Sequence, residues 1–390
     1  MTWRETFGPL ARTIETVFPN EQDLEELFAL ERPLRVKLGL DLTATQVTIG
    51  NEIPLRILGR FQELGHTVVL ILGDFTTLVG DPSGRDKTRP QLGVEEVERN
   101  GATWLQQIDK VFDVSRAEVR RNSEWLSKLN AHEMLHLAGQ ATVAQMLERD
   151  SFAKRYAEGA PIHLHEFLYC LLQGHDSVAV ESDIELGGSD QTFNLNIGRN
   201  LQRNAGQKPQ VCVINPLLEG VDGSKKMSKS LGNSIGIDTP PRDMFGLATR
   251  VPDELVGKYL RLATDVPDDE IEAMLAADIW NAKKTMAERL TARHYGDETA
   301  AGERAEFERV FKKKELPDDI PEFRVSEKSM PLGNLVRDVF KMSGGEARRL
   351  IEQGAVTLDG EKKTDPREEI AIAGGEVLKA GKRRFARLIR

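Results

Sequence analysis

Apolar and polar positions along this chain switch between two registers, and the switches lay out its first half. Leu34 to Leu40 reads as a strand. Thr67 to Leu72 reads as another, a β-branched and leucine run of the kind a parallel sheet buries on both faces. Between them Ile53, Ile57, Phe61 and Leu64 recur at helical spacing and predict a helix over about Glu52 to Leu64. Pro54 then falls in its first turn, where the missing N–H does no harm. Strand, turn, helix, strand is a βαβ unit, whose helix N-terminus favours an anion. Asp183 to Leu186 and Val211 to Ile214 supply two further strands.

The second half reads differently. From about Asp238 to Lys314 the pattern is helical, as in Asp269 to Leu275. Leu316-Pro317-Asp318-Asp319-Ile320-Pro321 has the composition of a linker. Beyond it, Leu335 to Phe340 and Gly345 to Gln353 predict two short helices, the second capped by Ser343. Gly354 to Gly360 predicts a strand and turn, and Glu376 to Phe385 a closing hairpin. The expected fold is α/β: a parallel-sheet domain over 1–235 with an insertion at about 95–160, an α-helical domain over 236–325 and a small α+β domain over 330–390.

Composition narrows the class. With 390 residues, 39% hydrophobic and 29% charged, the chain has material for more than one core. It has no run of 18 or more apolar residues to span a membrane, and its first residues lack the pattern of a signal peptide. Its two cysteines, Cys170 and Cys212, lie far apart without a CxxC, which predicts a reducing cytoplasm and no structural metal. The net charge of −9 is uneven: Pro331 to Arg390 holds 13 Lys/Arg against 9 Asp/Glu, leaving −13 on the remainder. A basic tail on an acidic body fits an RNA-facing end module, although an inert asymmetric surface would give the same count.

Candidate chemistry begins at Gly223 to Gly232, where lysines bracket a Met-Ser pair between glycines. Charge alone describes a solvated basic loop. The order of letters says more: Lys226-Met227-Ser228-Lys229-Ser230 spells KMSKS and resembles the signature of class I aminoacyl-tRNA synthetases, whose loop closes on ATP. Three further stretches resemble the tyrosyl branch of that family. The run Gly73 to Arg85, otherwise a Gly/Pro-rich surface loop, contains Asp81, placed to hold the substrate ammonium. Tyr169, Gln173 and Asp176 fall at i, i+4 and i+7, so one helix face carries all three. Gly187-Gly188-Ser189-Asp190-Gln191 follows a strand at the edge where open α/β sheets bind ligands.

The resemblance implies a Rossmann-type catalytic domain and a set of site residues. Tyrosine would meet Lys37, Asp81, Tyr169, Gln173, Asp176 and Gln191, with Asp176 accepting from the phenol; Lys37 stands where many relatives have a tyrosine. ATP would meet Asp41, Gly50, Asp190, Lys226, Met227, Ser228, Lys229 and Ser230. Catalytic roles fall to Lys226, Lys229, Thr43, Thr48 and Asn51. The last two are a departure, since the family's His-x-Gly-His reads Thr48-Ile49-Gly50-Asn51 here and loses both imidazoles. The resemblance further implies tyrosine–tRNA ligation through tyrosyl-adenylate, Mg²⁺ accompanying ATP, a homodimer, and a C-terminal RNA-binding fold in which Arg348, Arg349, Lys382, Arg383 and Arg384 meet tRNA phosphates.

Two competing readings stand beside it. One is an RNA-binding or regulatory paralogue that lost activation together with its histidines. The other rests on His132-Glu133-Met134-Leu135-His136, an HExxH pattern that places two imidazoles on one helix face as in zinc proteases. Thr142 stands at the third-ligand position of the longer form of that pattern and is a poor zinc ligand. The following Thr142 to Glu148 resembles the tyrosyl family's insertion.

Overall fold

The computed structural model describes residues 2–82, 92–223, 227, 232–313, 320–381 and 384–390. It divides into two compact units, 1–304 and 305–390.

Six strands build the sheet of the first unit: β1 (Thr16–Phe18), β2 (Arg35–Leu40), β3 (Thr67–Leu72), β4 (Glu118–Arg121), β5 (Ile184–Gly188) and β6 (Val211–Asn215), in the order β1-β6-β5-β2-β3-β4. All pairings are parallel except β1 with β6. The chain winds outward from β2 in one direction and from β5 in the other, so the topological switch point lies between these two strands. Ligands of open α/β sheets bind there, outside the carboxyl ends.

Helices α1 (Trp3–Phe7) and α2 (Glu21–Phe28) precede the sheet's central strands. The first crossover is α3 (Ile49–Glu63), which starts three residues before the periodicity predicts. The reason is local. The Thr48 hydroxyl accepts from the Asn51 N–H, and the Asn51 side chain accepts from the Thr48 N–H, a capping box that nucleates the helix early. Pro54 therefore lies inside the helix rather than in its first turn. Gly73 to Val79, read from sequence as a loop, instead folds into the short α4 (Asp74–Val79).

The insertion supplies α5 (Val94–Ile108), α6 (Ser123–Leu126), α7 (Ala131–Ala138), α8 (Val143–Leu147) and α9 (Asp150–Ala157). It is followed by α10 (Leu164–Ala179), and α11 (Thr192–Asn204) connects β5 to β6. The helical stretch forms as predicted, as α12 (Pro241–Ala248), α13 (Asp253–Ala263), α14 (Asp268–Ala277), α15 (Ile279–Tyr295) and α16 (Asp297–Lys313). Among the described residues no helix is long and apolar enough to cross a membrane.

In the second unit, β7 (Glu322–Arg324), β9 (Val356–Leu358), β10 (Glu361–Lys363), β12 (Val377–Ala380) and β13 (Arg384–Ile389) form one sheet, with β8 (Ser329–Pro331) and β11 (Glu369–Ala371) paired beside it. Helices α17 (Leu332–Phe340) and α18 (Gly344–Glu352) pack on a core that includes Leu335, Val336, Ile351, Leu378 and Leu388. Ser343 caps α18 as expected, its Oγ accepting from the Glu346 N–H at 3.2 Å.

Leu70 sits mid-strand in β3 with no exposed surface. Leu70→Ala is expected to lower the unfolding free energy by about 2–5 kcal/mol in denaturant titration; a loss below about 1 kcal/mol would contradict this packing.

Candidate active site

The functional residues gather at the carboxyl edge around β2 and β5. Asp41 follows β2 directly. Its Oδ2 accepts from the Tyr169 hydroxyl at 2.9 Å and its Oδ1 from Thr76 Oγ1 at 3.0 Å. Burial and the Asp41 charge hold the Tyr169 phenol well above its ordinary range, so it stays a neutral donor. Thr76 in turn accepts from Asn122 Nδ2 at 3.0 Å, and the same amide reaches Asp176 Oδ2 at 3.3 Å. Trp125 Nε1 donates to Asp176 Oδ1 at 2.8 Å. Burial pushes the Asp176 carboxyl up to about 7; the Lys37 charge and the Trp125 and Asn122 donors pull the other way.

A second strand of contacts runs from the loop after β5. Gln191 Nε2 donates to Asp81 Oδ2 at 3.0 Å, and Asn194 Nδ2 donates to both Gln191 Oε1 at 2.9 Å and Gln173 Oε1 at 2.7 Å. Arg149 Nη2 approaches Asp81 Oδ1 at 3.5 Å. The sequence-predicted Asp41, Asp81, Tyr169, Gln173, Asp176 and Gln191 thus share two short hydrogen-bond chains. Lys37 lies deeper, wholly buried against Glu185.

On the nucleotide side, Thr43 is half-buried in the turn after β2, its N–H bonded to the Asp41 carbonyl at 2.9 Å. Thr48 Oγ1 donates to Asn51 Oδ1 at 2.8 Å, so the residues standing in for the two histidines are engaged with each other. Gly50 leaves a close approach open: a Cβ there would lie 3.6 Å from Thr48 Oγ1 and 3.9 Å from Met227 Sδ. Met227 is buried beside this turn, with its N–H on the Leu218 carbonyl at 3.0 Å. Two backbone bonds, Ile49 N to Ile235 O and Ile237 N to Val47 O, both 3.0 Å, bring the segment after the lysine loop against the same turn. Lys226, Ser228, Lys229 and Ser230 lie outside the described residues. Asp190 is half-buried in the single helical turn after β5.

The irregular turn is held from outside. Asn100, Trp104 and Gln107 share one face of α5, and their side chains bond the backbone of residues 42–47. Asn100 Nδ2 reaches the Leu42 carbonyl at 2.8 Å, Gln107 Nε2 the Thr45 carbonyl at 2.7 Å, and Gln107 Oε1 accepts from the Val47 N–H at 2.9 Å. Trp104 Nε1 donates to the Ala44 carbonyl. Buried loop backbone without helix or sheet partners needs such side-chain partners.

A family model described as tRNA synthetases class I (W and Y) matches residues 29–312. A tyrosine–tRNA ligase of Symbiobacterium thermophilum is 49% identical over 378 residues, covering 94% of this chain and 92% of the relative. One of Thermotoga maritima is 43% identical over 394 residues, covering 100% and 98%. The chain belongs to the tyrosine–tRNA ligase family. The fold agrees with solved tyrosyl-tRNA synthetases: that of Archaeoglobus fulgidus, complexed with L-tyrosine, aligns at a TM-score of 0.61 with 19% identity, over 77% of this chain and 99% of its own. A truncated mitochondrial enzyme of Aspergillus nidulans aligns at 0.63 with 22% identity, over 80% and 94%.

Neither competing reading gains support from this family. In the HExxH stretch, Glu133 is engaged as a capping residue of α7, accepting from the Asn130 N–H at 2.8 Å, while His132 and His136 are exposed. Among the described residues no cluster of three or more His, Cys, Asp or Glu is arranged for a metal ion. In the second unit, Arg348 and Arg349 are exposed on α18, with Arg348 paired to Glu352 at 3.2 Å. Arg384 opens β13 and meets Glu346 at 3.1 Å. Lys382 and Arg383 lie outside the described residues.

Sequence reasoning missed the supporting donors Arg149, Asn122, Trp125, Thr76 and Asn194. Two had a signal: Arg149 directly follows the family-like run Thr142 to Glu148, and Thr76 lies within the family-like run Gly73 to Arg85.

A Cβ on Gly73 would lie 2.4 Å from Thr76 Oγ1 and 2.6 Å from Asp41 Oδ1, inside contact distance of both. Gly73→Ala is expected to cut kcat/KM for tyrosine activation by about 10–100-fold through displacement of Asp41. An unchanged value would show that Asp41's position is unimportant.

Proposed function

We propose that the chain joins tyrosine to its tRNA in two steps at the β2–β5 switch point. The observation that carries this reading is the two hydrogen-bond chains at this edge, in which half-buried Asp81 is held by Gln191, with Asn194 joining Gln191 to Gln173, and buried Asp176 is held by Trp125 and Asn122; in this reading Asp81 takes the substrate ammonium and Asp176 its phenol. Between them a zwitterionic amino acid presents its carboxylate toward the turn that carries Thr43 and Gly50.

That carboxylate attacks the ATP α-phosphorus, the bond to the bridging oxygen breaks, and pyrophosphate leaves with tyrosyl-adenylate formed. A terminal hydroxyl of the tRNA then attacks the activated carbonyl, and AMP leaves. No protein residue is covalently modified. Catalysis is positioning plus stabilisation of charge on the oxygens around phosphorus. Lys226, Lys229 and Thr43 are assigned to that charge. Thr48 and Asn51 contribute the helix-capping geometry, and the Asn51 amide N–H₂ the side-chain donor that stands in place of an imidazole, the Thr48 hydroxyl being given to Asn51. Asp41, Gly50, Asp190, Met227, Ser228 and Ser230 frame the nucleotide, which arrives as its Mg²⁺ complex.

In this reading residues 1–235 perform both reactions, 236–325 contact tRNA, and 330–390 bind RNA through Arg348, Arg349, Lys382, Arg383 and Arg384 in a salt-sensitive contact. The enzyme acts in the cytoplasm as a homodimer. Support for self-association comes from the large apolar side chains left exposed on α7 to α10, namely Leu135, Val143, Tyr156 and Leu164. The two buried free cysteines fit a reducing compartment.

Tyrosine-dependent ATP–pyrophosphate exchange tests the reading directly. The full chain is expected to exchange, and Lys229→Ala to lose about 10²–10³ in rate; absence of exchange would refute it. Truncation at Ser329 should abolish tRNA charging and leave exchange intact, whereas full charging by the shortened chain would refute the assignment of the second unit.

A further inference from the structure

β2 carries a lysine where water does not reach. Lys37 has no exposed surface, and its ammonium directs its hydrogens to protein acceptors: Glu185 Oε1 at 2.8 Å, Ser177 Oγ at 2.7 Å and the Gln173 carbonyl at 3.5 Å. An ammonium has three hydrogens, so none remains for a substrate hydroxyl. Glu185 is equally committed. Its Oε2 accepts from Ser177 Oγ at 2.9 Å and from the Gln210 amide, and the residue is 2% exposed.

Two of the lysine's acceptors, Gln173 and Ser177, lie on the turn of α10 that also carries Asp176. The buried region therefore contains two carboxyls and one ammonium, and Glu185 takes the direct contact. Among the described residues Asp176 receives only neutral donors, from Trp125 and Asn122. Two like charges in a dry interior disfavour each other's ionisation, and a nearby cation opposes that.

We propose that Lys37 is a positioning residue that sets amino-acid specificity: it does not touch tyrosine, and its ammonium, anchored by Glu185 against the turn of α10 that bears Asp176, outweighs the Glu185 charge and keeps Asp176 an ionised acceptor for the substrate hydroxyl. With the phenol placed on Asp176, as in the reading on which this inference rests, tyrosine donates to a charged oxygen. Phenylalanine leaves the same charge buried and one donor short. A protonated Asp176 would penalise phenylalanine far less. The preference for tyrosine over phenylalanine therefore follows the ionised fraction of this carboxyl and falls as pH drops through its titration near 7.

The groups bearing on Asp176 come from several elements. Lys37 of β2 and Glu185 of β5 carry charge; Asn122 and Trp125, at α6, are neutral donors. On α10 itself, Tyr169 is bonded to Asp41, and His175 is half-buried with Glu133 of α7 as its charged neighbour.

The test is kcat/KM for tyrosine and for phenylalanine in pyrophosphate exchange by the full chain from about pH 6 to 9, a range spanning the titration. Lys37→Met alone would strand Glu185 as a buried unpaired charge, so the cation is removed in Lys37→Met/Glu185→Gln. In that variant the midpoint of the tyrosine/phenylalanine ratio is expected to move up by about one pH unit. The ratio at pH 7 then falls about fivefold and recovers at high pH. Glu185→Gln alone removes the like charge and keeps the ammonium, so its midpoint is expected to move down. Opposite shifts distinguish a field acting on Asp176 from a pocket merely loosened, which lowers both activities without moving the midpoint. Midpoints unmoved in both variants would overturn the role of Lys37. Asp176→Asn separates this from the underlying reading: a ratio unchanged there would show that the phenol does not meet Asp176 at all. A lowered, pH-independent ratio in Asp176→Asn, with unmoved midpoints in the other two variants, would refute only the lysine's part.

Discussion

Burying carboxyls without leaving them unpaired is the constraint on which this structure depends. Asp41, Asp81 and Asp176 stand at the edge of one parallel sheet, where an isolated ionised carboxylate would be strongly disfavoured. Each is held by two donors: Tyr169 of α10 and Thr76 of α4 for Asp41, Gln191 and Arg149 for Asp81, and Trp125 and Asn122, both at α6, for Asp176. The pocket is therefore assembled only when the insertion, α10 and the loop after β5 are all in place. Its negative character is the reason a zwitterion with a polar far end is a suitable occupant.

The turn after β2 shows how a signature can change while its backbone persists. The helix-start geometry is maintained by the Thr48–Asn51 capping box, and the irregular backbone before it by the α5 side chains Asn100, Trp104 and Gln107. Neither support involves an imidazole. Loss of the two histidines thus alters the donors offered to the nucleotide without removing the helix N-terminus or the open approach at Gly50. The same turn is joined by backbone bonds to the segment that follows the lysine loop, so the two segments proposed to hold the nucleotide are built against each other.

Elements with strong periodicity were legible in the sequence. β3 is an uninterrupted apolar run, α10 presents Tyr169, Gln173 and Asp176 on one face, and Ser343 caps α18. β1 and β4, with three and four residues, are too short to alternate visibly. The early start of α3 was hidden because asparagine, rather than glutamate or glutamine, closes its capping box. The supporting donors were hidden for a different reason. Asn122 meets Asp176 across 54 positions and Gln191 meets Asp81 across 110, and contacts at such separations leave no periodic trace. The sequence reading singled out Lys37 only through the family resemblance, and its partner Glu185 sits on another strand.

A crystal structure of the chain with tyrosine and a non-hydrolysable ATP analogue tests the central claim most directly. The account predicts the phenol oxygen within hydrogen-bond distance of Asp176, the ammonium on Asp81, and the phosphates between the Gly50 turn and the lysine loop. A phenol turned away from Asp176, or a nucleotide bound elsewhere, would contradict it.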